Sequence, residues 1–148
     1  MNFRVWIIDD YQTQLDRALS VVRSAEQESG FTLDTKTSRD FTWPLDIQQR
    51  PDLVILDLFD DDQDLAGREV YEKIRAEEKE NTYEHKNNIK ADSYIILWSA
   101  FLGSQEAIDY FEPCSEKDRR LVLCSVKSKV LLKNAVLGCL ARMKEEDL

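Results

Sequence analysis

The amino-acid sequence predicts one α/β domain, a five-stranded parallel sheet covered by helices on both faces. Short apolar runs alternate along the chain with amphipathic or polar stretches of helical length. Two of the runs, LVIL at 53–56 and YIILW at 94–98, are apolar without interruption, as strands buried on both faces are. Alternating strands and helices imply parallel strands joined by right-handed crossovers. The 148 residues suit a single domain, residues 1–148, and are short for two.

The elements follow in order. Residues 3–8 (FRVWII) form a β-prone run that ends in Asp9-Asp10. Over 13–29 the apolar positions Leu15, Ala18, Leu19, Val22 and Ala25 trace a helical stripe. Gly30 stands where a helix ends in the left-handed conformation that glycine adopts cheaply. Residues 31–37 alternate as a strand, and 42–49 form a weak short helix with Pro44 in its first turn. The run 53–56 enters Asp57, and 65–79 is a helix with Val70, Tyr71 and Ile74 inward. Residues 80–92 are polar and read as a surface insertion. The run 94–98 ends in Ser99-Ala100, 104–111 is a short helix, and 113–120 is a polar connection. A fifth strand spans 121–126 and ends at Lys127; the last helix spans 128–144.

Composition narrows the function classes. The formal net charge is -9, which disfavours binding to nucleic-acid backbones or anionic membranes, both polyanions. No apolar run approaches the roughly 20 residues of a membrane span, and the charged N-terminus is not a secretory signal. Cys114, Cys124 and Cys139 are odd in number, widely spaced and form no CxxC pair; they read as reduced, mostly buried thiols of a cytoplasmic protein. His85 is the only histidine and lies in a polar stretch, which excludes a His-rich metal site and argues against a Ser/His/Asp triad.

In open parallel sheets, function gathers at the carboxyl ends of the strands. Strand one delivers Asp9 and Asp10 there, strand three Asp57, strand four Ser99 and strand five Lys127. Three carboxylates at one edge repel unless a cation sits among them. Hard oxygen ligands with room for water suit Mg²⁺ or Mn²⁺. Ser99 and Lys127 add a hydroxyl donor and a positive charge that would neutralise a phosphoryl group on Asp57. An aspartate can be the nucleophile of such a transfer.

The segments WIIDD (6–10), LVILDL (53–58), ILWSA (96–100) and CSVKS (124–128) resemble the receiver domains of two-component response regulators, over about residues 2–145. The resemblance implies the CheY-like, flavodoxin-like doubly wound fold, with strand order 2-1-3-4-5. It implies Asp57 as phosphoacceptor, with Mg²⁺ held by Asp10, Asp57 and the Phe59 backbone carbonyl, and by Asp9 through water. Ser99 would hydrogen-bond the phosphoryl group and Lys127 would pair with it; Lys129 is the weaker candidate. The implied protein is a signalling phosphoacceptor in a phosphorelay and no conventional enzyme, with at most weak self-catalysed phosphotransfer and dephosphorylation. Its implied partners are a histidine kinase or phosphotransfer protein and a downstream protein. If the chain is complete, its readout is contact with another protein.

Receivers usually carry proline after the strand-five lysine, and here Ser128 stands there. The cis peptide expected at that point costs about 2.5–4 kcal/mol without proline, so a different loop is expected around Lys127. Cys124 occupies the position of the usual aromatic switch residue, and Asp60, Asp61, Asp62 and Asp64 replace the common Met-Pro turn. The acidic loop reads either as solvated surface or as charge that draws cations in and repels anionic phosphodonors. The last helix is apolar around much of its circumference, from Val130 to Met143, which reads as plain core or as a second face for a homodimer or partner; Gly138 would admit another backbone closely.

Rival classes fail on motif. A haloacid dehalogenase-type phosphatase needs a second acid two residues after its nucleophile, and neither Asp57-Leu58-Phe59 nor Asp9-Asp10-Tyr11 has one. No G-x-x-x-x-G-K-[ST] loop and no G-x-G-x-x-G occurs among four glycines. The remaining alternative is a receiver-like interaction module that binds its partner without phosphorylation-driven switching.

Overall fold

The computed structural model describes residues 2–39, 51–57, 66–84, 92–99, 102 and 104–146, with side chains throughout except at 66 and 80–84. Its elements are β1 (Asn2–Ile8), α1 (Gln12–Ser29), β2 (Thr32–Ser38), β3 (Leu53–Leu56), α2 (Ala66–Glu84), β4 (Tyr94–Trp98), α3 (Gln105–Lys117), β5 (Leu121–Cys124) and α4 (Lys129–Glu146). The strands form one sheet in the order β2-β1-β3-β4-β5, and every pairing is parallel. The expected doubly wound topology is therefore the observed one.

Strand periodicity sorts the apolar side chains onto two faces. Val5, Ile7, Leu53, Ile55, Tyr94, Ile96 and Trp98 join Leu15, Val22, Leu132 and Val136 in the core under α1 and α4. Ile8, Val54, Leu56, Ile95 and Leu97 join Val70, Ile74 and Phe111 in the core under α2 and α3. The pattern explains why β3 and β4 contain no polar residue: every position of both strands is buried. Gly30 ends α1 with φ 77° and its N–H bonds the Glu26 carbonyl, the left-handed cap that the sequence indicates.

Three boundaries differ from expectation. Helix α2 continues to Glu84, through residues read as an insertion. Residues 80–84 (ENTYE) hold no glycine or proline to stop it, and the turn before them carries Glu78, whose side chain is 1% exposed and ion-paired with Arg75. Helix α3 runs through Pro113 to Lys117. An interior proline costs about 3 kcal/mol, but Phe111 is buried and Cys114 packs on the same core beyond it. Strand β5 stops at Cys124, two residues short of the expected end, because its neighbour β4 ends at Trp98, paired with Cys124.

The expected helix at 42–49, Phe59, the acidic loop at 60–64 and His85 lie outside the described residues. All three cysteines are free thiols, Cys124 and Cys139 buried; burial pushes the Cys139 thiol up to about 12. Among the described residues no helix is long and apolar enough to cross a membrane. On α4, Leu132, Val136, Cys139, Leu140 and Met143 are buried, while Val130 and Leu131 are exposed. Among the described residues no neighbouring atom comes within 4 Å of a Cβ placed at Gly138, so packing against them does not require this glycine.

Candidate metal and phosphoryl site

The carboxyl ends of the central strands are level. In register, Ile8 pairs with Leu56, Leu56 with Leu97 and Trp98 with Cys124. The ladder then extends one bond past each strand end. Asp9 N–H donates to the Ser38 carbonyl, Asp57 N–H to Ile8 and Ser99 N–H to Cys124, at 3.0–3.1 Å. Each residue after an apolar run is thereby fixed at the same edge. Asp9, Asp10, Asp57 and Ser99 are all buried there.

Carboxylate oxygens of Asp9, Asp10 and Asp57 lie within 4.8 Å of one another. Lys127 reaches them from the loop after β5: its Nζ donates to Asp9 Oδ2 at 2.9 Å and stands 3.6 Å from Asp57 Oδ1. Three carboxylates and one ammonium leave a local charge of about -2 in a mostly buried setting. That charge and an all-oxygen donor set fit a hard divalent cation. The other oxygen of Asp9 accepts the Tyr11 N–H at 3.0 Å. Both oxygens of Asp9 are thus held by protein donors.

The sequence reading placed Lys127 directly after strand five. It lies instead three residues past Cys124, in a loop without a cis peptide bond. Ser128 accounts for this loop locally. Its Oγ accepts the Leu131 N–H at 3.3 Å and caps α4, and its own N–H donates to the Val126 carbonyl at 2.7 Å. Cys124 Sγ also donates to that carbonyl, at 3.6 Å. Lys129 opens α4 and is exposed.

Two residues that sequence reasoning missed brace the edge. Arg39 Nε donates to the Asp10 carbonyl at 2.9 Å. Arg17 Nη2 donates to the Lys127 carbonyl at 2.8 Å. The available signal is weak: Arg17 borders the apolar stripe of α1, where a cation is normally just solvated surface. A hollow of about 1000 Å³ lies away from the acids at the amino edge of the sheet, lined by Arg4, Asp34, Asp52, Arg120 and Glu146. Its mixed charges are partly neutralised internally, as in the Arg120–Glu146 pair at 2.9 Å.

A level parallel sheet in the order β2-β1-β3-β4-β5, with acids at its carboxyl edge, is the architecture of response regulator receiver domains, and this chain has that fold. Solved structures show it. The BeF3-activated DrrB receiver domain superposes with a TM-score of 0.58 at 16% identity, over 95% of this chain and 99% of that one. The signal receiver domain of a Luxo repressor protein from Vibrio parahaemolyticus gives 0.59 at 21% identity, over 99% and 96%. The bacteriophytochrome response regulator RtBRR gives 0.55 at 16% identity, over 93% and 79%. No protein-family model and no curated protein matches the chain by sequence.

Proposed function

We propose that the protein is a phosphoacceptor in a two-component phosphorelay, a signalling module and not a conventional enzyme. The observation that carries this reading is the cluster of Asp9, Asp10 and Asp57 carboxylates within 4.8 Å, with the Lys127 ammonium on Asp9 and near Asp57. Asp57 is the acceptor. Its carboxylate oxygen attacks the phosphorus of a donor; a new O–P bond forms as the donor's bond to phosphorus breaks, and the leaving group departs with the electron pair.

Asp10 and Asp57 would hold Mg²⁺, or Mn²⁺, with Asp9 behind them through water and the Phe59 carbonyl as a further ligand. The bound ion supplies charge neutralisation for the phosphoryl oxygens. Lys127 adds a fixed positive charge, and Ser99 a hydroxyl donor from a fully buried position at the same edge. The donor would be a histidine kinase or phosphotransfer protein and the reader a downstream protein, with the exposed Val130 and Leu131 of α4 as one face for a partner or a second copy. The reading places the protein in the cytoplasm.

Intact-mass spectrometry after incubation with phosphoramidate and Mg²⁺ tests the proposal. The parent chain should gain one phosphoryl group and Asp57→Asn none. Equal labelling of both would remove Asp57 from the role. One observation favours a second reading, that of an interaction module without switching: the position of the aromatic switch holds Cys124, whose thiol is tied to the Val126 carbonyl. A parent chain that stays unlabelled would support that reading.

A further inference from the structure

Lys127 stands outside the strand ladder, so sheet pairing does not fix its backbone. The turn at Val126 and the Ser128 cap are contacts within the loop and the first turn of α4 and tie the loop to no other element. Arg17 ties it to a distant element. From α1, its Nη2 donates to the Lys127 carbonyl at 2.8 Å, and its Nη1 donates to Gln14 Oε1 at 2.8 Å, which holds the guanidinium in place.

Trp98 completes the arrangement. The Arg17 guanidinium lies 5.4 Å from its ring centroid and Lys127 Nζ lies 4.3 Å from it, both within cation–π range. The ring is 2% exposed and its Nε1 has no hydrogen-bond partner among the described residues, so packing and the two cations orient it. Arg17 thus holds the backbone of Lys127, and the indole guides the Lys127 stem towards Asp9 and Asp57.

We propose that Arg17 is a positioning residue for Lys127, aiming its ammonium at the Asp57 oxygen through the Lys127 carbonyl and the Trp98 ring. The proposal rests on the phosphoacceptor reading for its consequence, but its geometry is testable without phosphorylation. In the parent, the ion pair with Asp9 protects the Lys127 ammonium protons from exchange, so its Nζ resonance should be visible by ¹⁵N NMR at low temperature. Arg17→Met should broaden it away while the melting profile stays cooperative. Arg17→Lys, which keeps a donor and a charge, should restore part of it. An unchanged resonance in Arg17→Met overturns the proposal, whatever the labelling result.

The second arm reads the consequence. Arg17→Met should slow labelling of Asp57 by roughly 10- to 100-fold, the upper end being the loss a misplacement of about 1 Å can cause. It should cause no further loss in a Lys127→Ala background. Equal losses in both backgrounds would mean that Arg17 acts independently of Lys127, and the proposal would fail. If the parent is never labelled, the phosphoacceptor reading fails, and the resonance still decides the role of Arg17.

Discussion

Asp118 shows how much of a side chain's role depends on partners far away in sequence. Its Oδ2 accepts the Tyr71 hydroxyl at 2.7 Å and Arg75 Nε at 2.8 Å. Burial alone would raise its pKa, but the Arg75 charge and the hydrogen bonds from Tyr71, Arg75 and the Arg120 N–H outweigh that and hold it below the ordinary aspartate value. On the same guanidinium, Arg75 Nη1 donates to Glu78 Oε1 at 2.7 Å; there burial wins, and Glu78 titrates above its ordinary value despite Arg75 and the Ser93 N–H. A depressed folded-state pKa means that the contribution of Asp118 is present above the unfolded value and lost as pH falls through the folded one. Asp118→Asn should therefore cost about 1–3 kcal/mol near pH 7, with the gap to the parent closing in acid. Urea midpoints across pH would check it. Tyr71, Arg75 and Glu78 share one face of α2 by their spacing, but Asp118, just past α3, joins them only in the fold. Asp57, by contrast, is legible at once: an acid directly after a four-residue apolar run has one probable place in a parallel sheet.

At the scale of elements, legibility follows burial. The strands β3 and β4 are readable because both faces are covered and no polar residue fits. The ends of α2 and α3 are not, because α2 runs on past its interior ion pair through residues with no apolar stripe and α3 runs on past a proline, and neither continuation has a periodic signature. The start of α4 is a third case. Ser128 stands where a proline is the usual residue, and reads as a departure until its hydroxyl is seen capping the Leu131 N–H. Losing that cap should destabilise the protein by about 1 kcal/mol in Ser128→Ala. Equilibrium denaturation with an unchanged m-value would register it, and a midpoint equal to the parent's would show that the cap carries no weight. Because Ser128 adjoins Lys127, the same variant should leave the ion pair with Asp9 intact if Arg17 is the dominant tie.

At the scale of the whole molecule, the net charge of -9 and the cluster of three buried carboxylates act in the same direction. The fold concentrates like charge at one edge, where Lys127 offsets only part of it. Strand alternation in the sequence predicts that edge, while the loop bonds that aim Lys127 emerge only in three dimensions. The stability of the protein should therefore depend on cation supply in a way that one substitution can invert. With EDTA, Asp10→Asn removes a carboxylate from beside Asp9 and Asp57 and should raise stability by of order 1 kcal/mol. With Mg²⁺ at a hundredfold excess over its Kd, the parent should gain about 2.7 kcal/mol, and Asp10→Asn, having lost an inner ligand, much less. Melting curves in the two conditions would then rank the proteins in opposite order. An equal gain from Mg²⁺ in both would mean that no ion rests on Asp10.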